Sequence, residues 1–290
     1  MTWSYGTVTD IERLSPRMTR ICVLLTDPDR ITMPDQGDDA VGLYFPADNA
    51  AVPPPMEMRD GVWGYHTPAV APLGRNYTVR QYDAVTATAV VDIVTHGSGV
   101  ATDWLRDAQR GNVIAVSHAR SWYRPGAASW QLLAADLAGL PALARIIEAL
   151  PAAVSATAVV EIGHPDDIGY LPARENVSVV WTVGGNGASP SALADQIATQ
   201  QLPDTDGYLW FAGEAAQSRS VRKWLRAEHG WTSEQFDIVG YWRQGSQEWD
   251  RRFAELGPEV QAVYREALAA GKSQEVALEE YDEALERAGL

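Results

Sequence analysis

Six consecutive residues, Arg75-Asn76-Tyr77-Thr78-Val79-Arg80, bring three chemistries into one short stretch. A guanidinium offers paired planar donors that suit a pyrophosphate. A tyrosine ring covers an aromatic cofactor, and a threonine hydroxyl serves a ring heteroatom. The stretch follows a turn signal, Pro72-Leu73-Gly74, and reads as a strand. Strand alternation then sends Arg75, Tyr77 and Val79 to one face and Thr78 and Arg80 to the other. From spacing alone, the run also fits an arginine-flanked surface strand.

A second segment, Asp92-Ile93-Val94-Thr95-His96-Gly97-Ser98-Gly99-Val100-Ala101-Thr102, runs from a strand through a glycine turn into a helix over 101–108. Glycine lets main-chain N–H groups approach an anion, and a helix start favours negative charge. Such turns more often merely start helices, and His96 equally fits a turn histidine. Gly184-Gly185-Asn186-Gly187 lacks the spacing of a dinucleotide fingerprint and reads as a loop. The five histidines, His66, His96, His118, His164 and His229, show no paired metal spacing. No acid–base pair and no activated nucleophile stands out.

The elements that must position these residues fall into three zones. Residues 1–125 read as β-structure, with strand-like runs at 8–14, 18–25, 42–45, 77–82 and 89–95, several of them alternating. Proline and glycine break residues 46–74, which suggests a small barrel with one long loop. Residues 126–245 alternate strand and helix: strands at 130–135, 157–162, 177–183, 208–212 and 236–242, and helices opened by Pro141, by Ser189-Pro190 and near Ala215. The strands at 157–162 and 177–183 are mostly apolar along their length, as strands buried on both faces are. The expected architecture is therefore an antiparallel β-barrel followed by a parallel-sheet α/β domain, which takes ligands at the carboxyl ends of its strands. Residues 246–290 hold 11 acidic and 5 basic residues, with Leu278, Tyr281, Leu285 and Ala288 at helical spacing. They read as a docked helical extension.

Composition narrows the partners. The net charge of −15 argues against a nucleic-acid ligand, which needs basic surface. Only Lys223 and Lys272 are lysines, so anions must be gripped mainly by arginine. No run reaches the roughly 18–20 apolar residues of a membrane helix. The N-terminus lacks the basic and apolar stretches of a signal peptide. Cys22 is the single cysteine and sits in an apolar strand, which fits a reducing, cytoplasmic location. The chain is expected to be a monomer.

Taken together, these motifs resemble those of the siderophore-interacting proteins, a branch of the ferredoxin-reductase-like flavoproteins. The likeness rests on Arg-x-Tyr-Thr-x-Arg at 75–80, His-Gly-x-Gly at 96–99, Leu132-Leu133-Ala134-Ala135-Asp136 with Leu140-Pro141-Ala142, Phe211-Ala212-Gly213-Glu214-Ala215, and Gly240-Tyr241-Trp242-Arg243-x-Gly245. The helix carrying Arg219, Arg222 and Leu225 adds to it. The resemblance implies that Arg75, Tyr77, Thr78 and Arg80 line FAD, with the arginines near its phosphates and Tyr77 against its rings. It implies that His96, Gly97, Gly99, Ala101 and Thr102 cradle the pyrophosphate region. Asp136, Gly213 and Glu214 would stand at the NAD(P)H site, and Tyr241 and Trp242 near the flavin. The implied activity is reduction of a ferric siderophore by NAD(P)H through FAD.

Three segments depart from that pattern. Val100 replaces a usual proline, Ser117-His118-Ala119-Arg120-Ser121 a usual Gly-Pro-Arg-Gly-Ser, and Leu137-Ala138-Gly139 a usual Glu-Thr-Ala. The last two put individual phosphate and nicotinamide contacts in doubt. They leave open a ferredoxin as electron donor, another acceptor, or a carrier that binds the siderophore without turnover.

Overall fold

The computed structural model describes residues 2–47, 50–67, 70–272 and 274–288. Its first half is a closed barrel in the order β1-β2-β7-β6-β3-β8. The strands are β1 (Trp3–Ser15), β2 (Met18–Leu25), β3 (Ala40–Phe45), β6 (Leu73–Asp83), β7 (Thr88–Val94) and β8 (Val113–Arg120). Neighbouring strands are antiparallel, and β1 turns into β2 across Pro16 and Arg17, with Ser15 opposite Met18. Alternation fixes what faces inward: Ile21, Val23 and Leu25 on β2, and Ala89, Val91 and Ile93 on β7, all enter the barrel core. Between them Asp92 points outward, where Arg20 grips it with two bonds of 2.7 and 2.8 Å. Helix α1 (Val100–Leu105) closes one barrel end by sending Trp104 against Phe45.

Two expectations for this half need adjusting. The strand β8 carries little alternation and was absent from the sequence reading. The stretch 46–74 is not all loop: β4 (Glu57–Arg59) and β5 (Val62–Gly64) form a hairpin. Trp3 packs beside this region with Met56, Trp63 and Tyr65.

The second half is a five-stranded parallel sheet in the order β11-β10-β9-β12-β13. These are β9 (Trp130–Asp136), β10 (Ser155–Ile162), β11 (Val177–Val183), β12 (Gly207–Glu214) and β13 (Phe236–Trp242). Helix α2 (Leu140–Ala149) covers one face; α3 (Leu193–Ala198) and α4 (Ala215–His229) cover the other. The central strands β9 and β12 are almost wholly buried. By contrast, β11 is an edge strand of half-exposed residues, so its apolar run did not mean burial on both faces. Gly230, in the left-handed conformation, ends α4. The helix expected from Pro190 begins only at Leu193. Ser189 instead accepts from Gly185 N, and Ala192 N is held by Glu161.

The chain leaves β9 outward to β10 and β11, then crosses back to β12 and β13. The order therefore reverses between β9 and β12, and a crevice opens at their carboxyl ends. Two helices follow, α5 (Ser246–Ala269) and α6 (Gln274–Arg287), with a small core that includes Phe253, Val260, Tyr281 and Leu285. Tyr281, Leu285 and Ala288 belong to that core; the Leu278 side chain lies outside the described residues. Arg222 of α4 ties the pair down through Asp282 at 2.5 Å. Among the described residues no helix is long and apolar enough to cross a membrane.

Barrel and sheet are welded by buried polar groups. Asp38, fully buried, accepts from Ser121 Oγ, from the backbone N–H of Trp122 and Tyr123, and from Trp210 Nε1 of β12. Arg145 of α2 donates to the Val79 carbonyl at 2.8 Å and pairs with Asp39 at 3.2 Å. Tyr170, from the segment after β10, donates to Asp92.

Candidate functional site

The strand β6 presents the 75–80 run along the barrel wall, and its two faces have different fates. Val79 turns into the barrel core, and Tyr77, partly buried, packs against it with its ring edge-on to Phe45 at 6.1 Å. Burial holds the Tyr77 phenol well above its usual pKa. Thr78 and Arg80 face the sheet domain. A bulge between Val79 and Gln81 breaks the pairing with β7 at Arg80. Arg80 grips Glu148 of α2 with two bonds of 2.9 and 2.5 Å, yet its Nε is enclosed without a partner. Arg75 is exposed and reaches only the neighbouring Gly74 carbonyl. The four residues thus do not share one face.

β7 runs antiparallel to β6, paired from Asp83–Thr88 to Val79–Val91, so the 96–102 turn leaves β7 on the side of the start of β6. His96 N donates to Thr102 Oγ1 at 3.3 Å. The His96 ring sits over Gly99, where a Cβ would approach it to 3.0 Å. A Cβ at Gly97 would meet nothing within 4 Å, so this backbone is open on one side. Gly99 N donates to Asp103 at 3.2 Å, and α1 buries Ala101 and Thr102 beneath the turn.

Across the joint, β13 ends in Tyr241 and Trp242, which point to different places. The Tyr241 ring is half-buried, but its hydroxyl is enclosed beside the Thr78 hydroxyl. The two oxygens make no hydrogen bond of acceptable geometry, and neither has another partner. Burial pushes the Tyr241 phenol far above its usual pKa. Two enclosed hydroxyls and one enclosed guanidinium nitrogen without partners are rare in a folded chain. They mark the joint as a place where polar groups are enclosed without full protein partners.

Trp242 donates from Nε1 to Asp136 Oδ2 at 2.5 Å. Asp136 is buried at the end of β9 and also accepts from Ala138 N at 2.9 Å. Burial raises its pKa to about 7, against the lowering effect of those bonds. Gly213 leaves room for this carboxylate, since a Cβ there would stand 3.0 Å from Asp136 Oδ2. Glu214 caps α4, accepting from Ala216 N at 2.6 Å and Gln217 N at 3.2 Å. Asp136, Gly213, Glu214 and Trp242 therefore meet in the crevice at the strand ends.

Beside them opens a cleft of about 480 Å³ whose walls include Asn186, Ser189, Ser191, Arg219, Arg243 and Trp249. Sequence reasoning missed most of these because they come from a loop, a helix and the C-terminal extension. One signal was available. Residues 184–187 all adopt positive φ (149°, 59°, 53° and 80°), and the run Gly-Gly-Asn-Gly permits it. Asn186 pins this loop to the crevice, accepting from Leu137 N at 2.9 Å and donating to the carbonyls of Glu161 and Gly184.

The sequence and fold have known relatives. Residues 7–121 match the model of the siderophore-interacting FAD-binding domain, and residues 128–245 that of the siderophore-interacting protein. An uncharacterized protein of Mycobacterium tuberculosis is 33% identical over 83% of this chain and 92% of its own. The ferric vibriobactin reductase ViuB of Vibrio cholerae is 27% identical over 82% of this chain and 93% of its own. Among solved structures, a siderophore utilization protein from T. fusca superposes with a TM-score of 0.71 at 29% identity, covering 84% of this chain and 93% of that one.

Proposed function

Because the chain belongs to the siderophore-interacting protein family, we propose that it is an FAD-dependent reductase that passes electrons from NAD(P)H to a ferric siderophore and releases ferrous iron. The observation that carries this reading is the end of β13. Of two consecutive residues, Tyr241 reaches Thr78 on the barrel while Trp242 walls the cleft at the strand ends. A cofactor face and a donor cleft are thus adjacent, as electron transfer between two bound groups requires.

The residues of the barrel fit FAD. Thr78, Arg80 and Tyr241 offer donors that nothing in the protein uses fully. Arg75 and the turn with His96, Gly97, Gly99, Ala101 and Thr102 would hold the phosphates, and Tyr77 buttresses the strand from inside. A bound flavin supplies the change from a two-electron hydride donor to a one-electron ferric acceptor. The protein's part is to hold both sites rigidly and to keep water from the joint. Iron leaves after reduction because its lower charge weakens its attraction to anionic oxygen ligands.

In this reading residues 1–125 bind FAD, residues 126–245 bind the donor, and residues 246–290 form the extension that completes the donor cleft through Trp249. The cleft favours a nicotinamide nucleotide over a ferredoxin as donor. The protein works as a cytoplasmic monomer. The test is spectroscopic. Purified protein loaded with FAD should bleach on anaerobic addition of NAD(P)H. Ferric siderophore should restore the colour while a ferrous chelator signals release. Failure to take up FAD, or reduced flavin that the ferric siderophore leaves unchanged, would overturn the proposal.

A further inference from the structure

We infer that Asp136 is a positioning residue for the donor reaction: its carboxylate, reaching across β12, holds the Trp242 indole as a fixed wall between the joint and the cleft. The inference rests on the reductase reading for the reaction itself, but the tie between the two residues follows from the strands alone.

The sheet order places β12 between β9 and β13, so Asp136 at the end of β9 and Trp242 at the end of β13 stand two strands apart. A side chain on β12 would normally come between them. At this level β12 carries Gly213, which pairs with Gly240 of β13, while the preceding Ala212 pairs with Ala135 of β9. The crossing is therefore clear, and Trp242 Nε1 donates to Asp136 Oδ2 at 2.5 Å. A Cβ at Gly213 would stand 3.0 Å from that same oxygen and 3.1 Å from the Phe211 ring.

The end of β13 needs such a tie. The register shifts after Gly213, so that Glu214 pairs with Trp242 and Tyr241 is left as the extra residue. A bulge of this kind interrupts the ladder and re-aims the side chains around it. Tyr241 is sent to the barrel, and Trp242 has to be aimed by its own contacts. Asp136 takes the indole nitrogen, and the far edge of the ring lies over Gly187, where a Cβ would come within 3.8 Å. Held at both ends, the half-buried indole forms part of the cleft wall.

Packing alone does not account for a carboxylate here. Asp136 is only 2% exposed, and burial raises its pKa to about 7, so the fold works against its charged form. An apolar residue would fill the same place at less cost. What the carboxylate adds is two acceptors on one rigid plane. Oδ1 takes Ala138 N at 2.9 Å, which fixes the group to the turn after β9 and leaves Oδ2 aimed at the indole. The backbone orients the carboxylate, and the carboxylate orients the ring. A wall that a donor must meet at one distance and angle needs that accuracy, since a misplacement of about 1 Å costs up to roughly a hundredfold in rate.

The test joins a spectroscopic and a kinetic reading on the full-length protein. In heteronuclear NMR spectra the Trp242 indole N–H, identified by its loss in Trp242→Phe, should move upfield in Asp136→Leu, as a proton does on leaving a carboxylate. With FAD loaded and NAD(P)H as donor, Asp136→Leu should slow maximal bleaching by about tenfold and leave the half-saturating donor concentration within about threefold. Trp242→Phe should lose a similar factor, and the double variant should lose no more than either alone. Gly213→Ala keeps both groups and crowds only the bond between them. It should give a smaller loss in the same direction, and it decides the matter if Asp136→Leu does not fold. An unmoved indole resonance would overturn the inference. So would losses that multiply in the double variant, for Asp136 would then act apart from Trp242. Wild-type protein that no nicotinamide bleaches would remove the reductase reading instead, whereas wild-type bleaching that Asp136→Leu and Gly213→Ala both match would remove this inference alone.

Discussion

The joint between barrel and sheet and the cleft at the strand ends lie on either side of Tyr241 and Trp242, yet they are built on opposite rules. At the joint, charges are buried and paired: Asp38 has four donors, Arg145 spans Val79 and Asp39, and Asp92 has Arg20 and Tyr170. The exceptions are Thr78, Arg80 and Tyr241, whose unused polar atoms mark where a cofactor would complete the set. At the cleft, the walls are loop and helix-start residues, and the loop holds four successive positive φ angles. The joint fixes the distance between two bound groups, which must not drift. In the proposed reaction the cleft would admit and release a nucleotide each turnover, and elements with few buried contacts suit that task.

Breaking the joint should bring the largest loss. Asp38→Ala leaves the Trp210 indole N–H and two backbone N–H groups buried without an acceptor. Each such loss costs on the order of 1 kcal/mol or more. Unfolding should therefore cost about 3 kcal/mol less, lowering Tm by roughly 6–12 °C. A loss below about 1 kcal/mol in denaturant unfolding would show that the two halves are not coupled through Asp38.

A pH-dependent effect belongs to Asp136, which stands where joint and cleft meet. Its pKa in the folded protein, about 7, is above the unfolded value. The native state therefore holds this proton where the unfolded chain has released it. Its contribution is fully present below about pH 4 and is lost as pH rises through about 7. Asp136→Asn cannot lose that proton. Relative to wild type it should gain about 4 kcal/mol between pH 4 and 8. Parallel stability–pH curves for the two proteins would contradict this environment for Asp136.

Much of the fold was legible because local chemistry and tertiary role coincide there. The α4 helix ends where Gly230 can turn left-handed, and β11 and β13 span the same residues that their apolar runs mark. Legibility failed where tertiary contacts overrule local signals. Pro190 does not start a helix, because Ser189 and Ala192 are spent on Gly185 and Glu161. The strand β8 pairs on both sides within the barrel although its own sequence alternates weakly. The cofactor strand was recognisable as a motif, but the motif could not show that Tyr77 supports from inside while Thr78 and Arg80 face the joint. The donor cleft was least legible, since Ser191, Arg219 and Trp249 meet only after three separate elements have packed.

The account's central claim is that the unpartnered polar face at the joint exists for a cofactor and not for the fold. Thr78→Val tests it with the least disturbance, because valine keeps the shape and removes only a hydroxyl that stands beside the Tyr241 hydroxyl without a well-formed hydrogen bond. The measurement is the rate of flavin bleaching by NAD(P)H, taken beside the unfolding midpoint of the flavin-free protein. The account predicts a midpoint unchanged or slightly raised, with stability shifted by no more than about 0.5 kcal/mol, and bleaching slowed by about tenfold. A lowered midpoint with unchanged bleaching would contradict it, since Thr78 would then serve the fold alone.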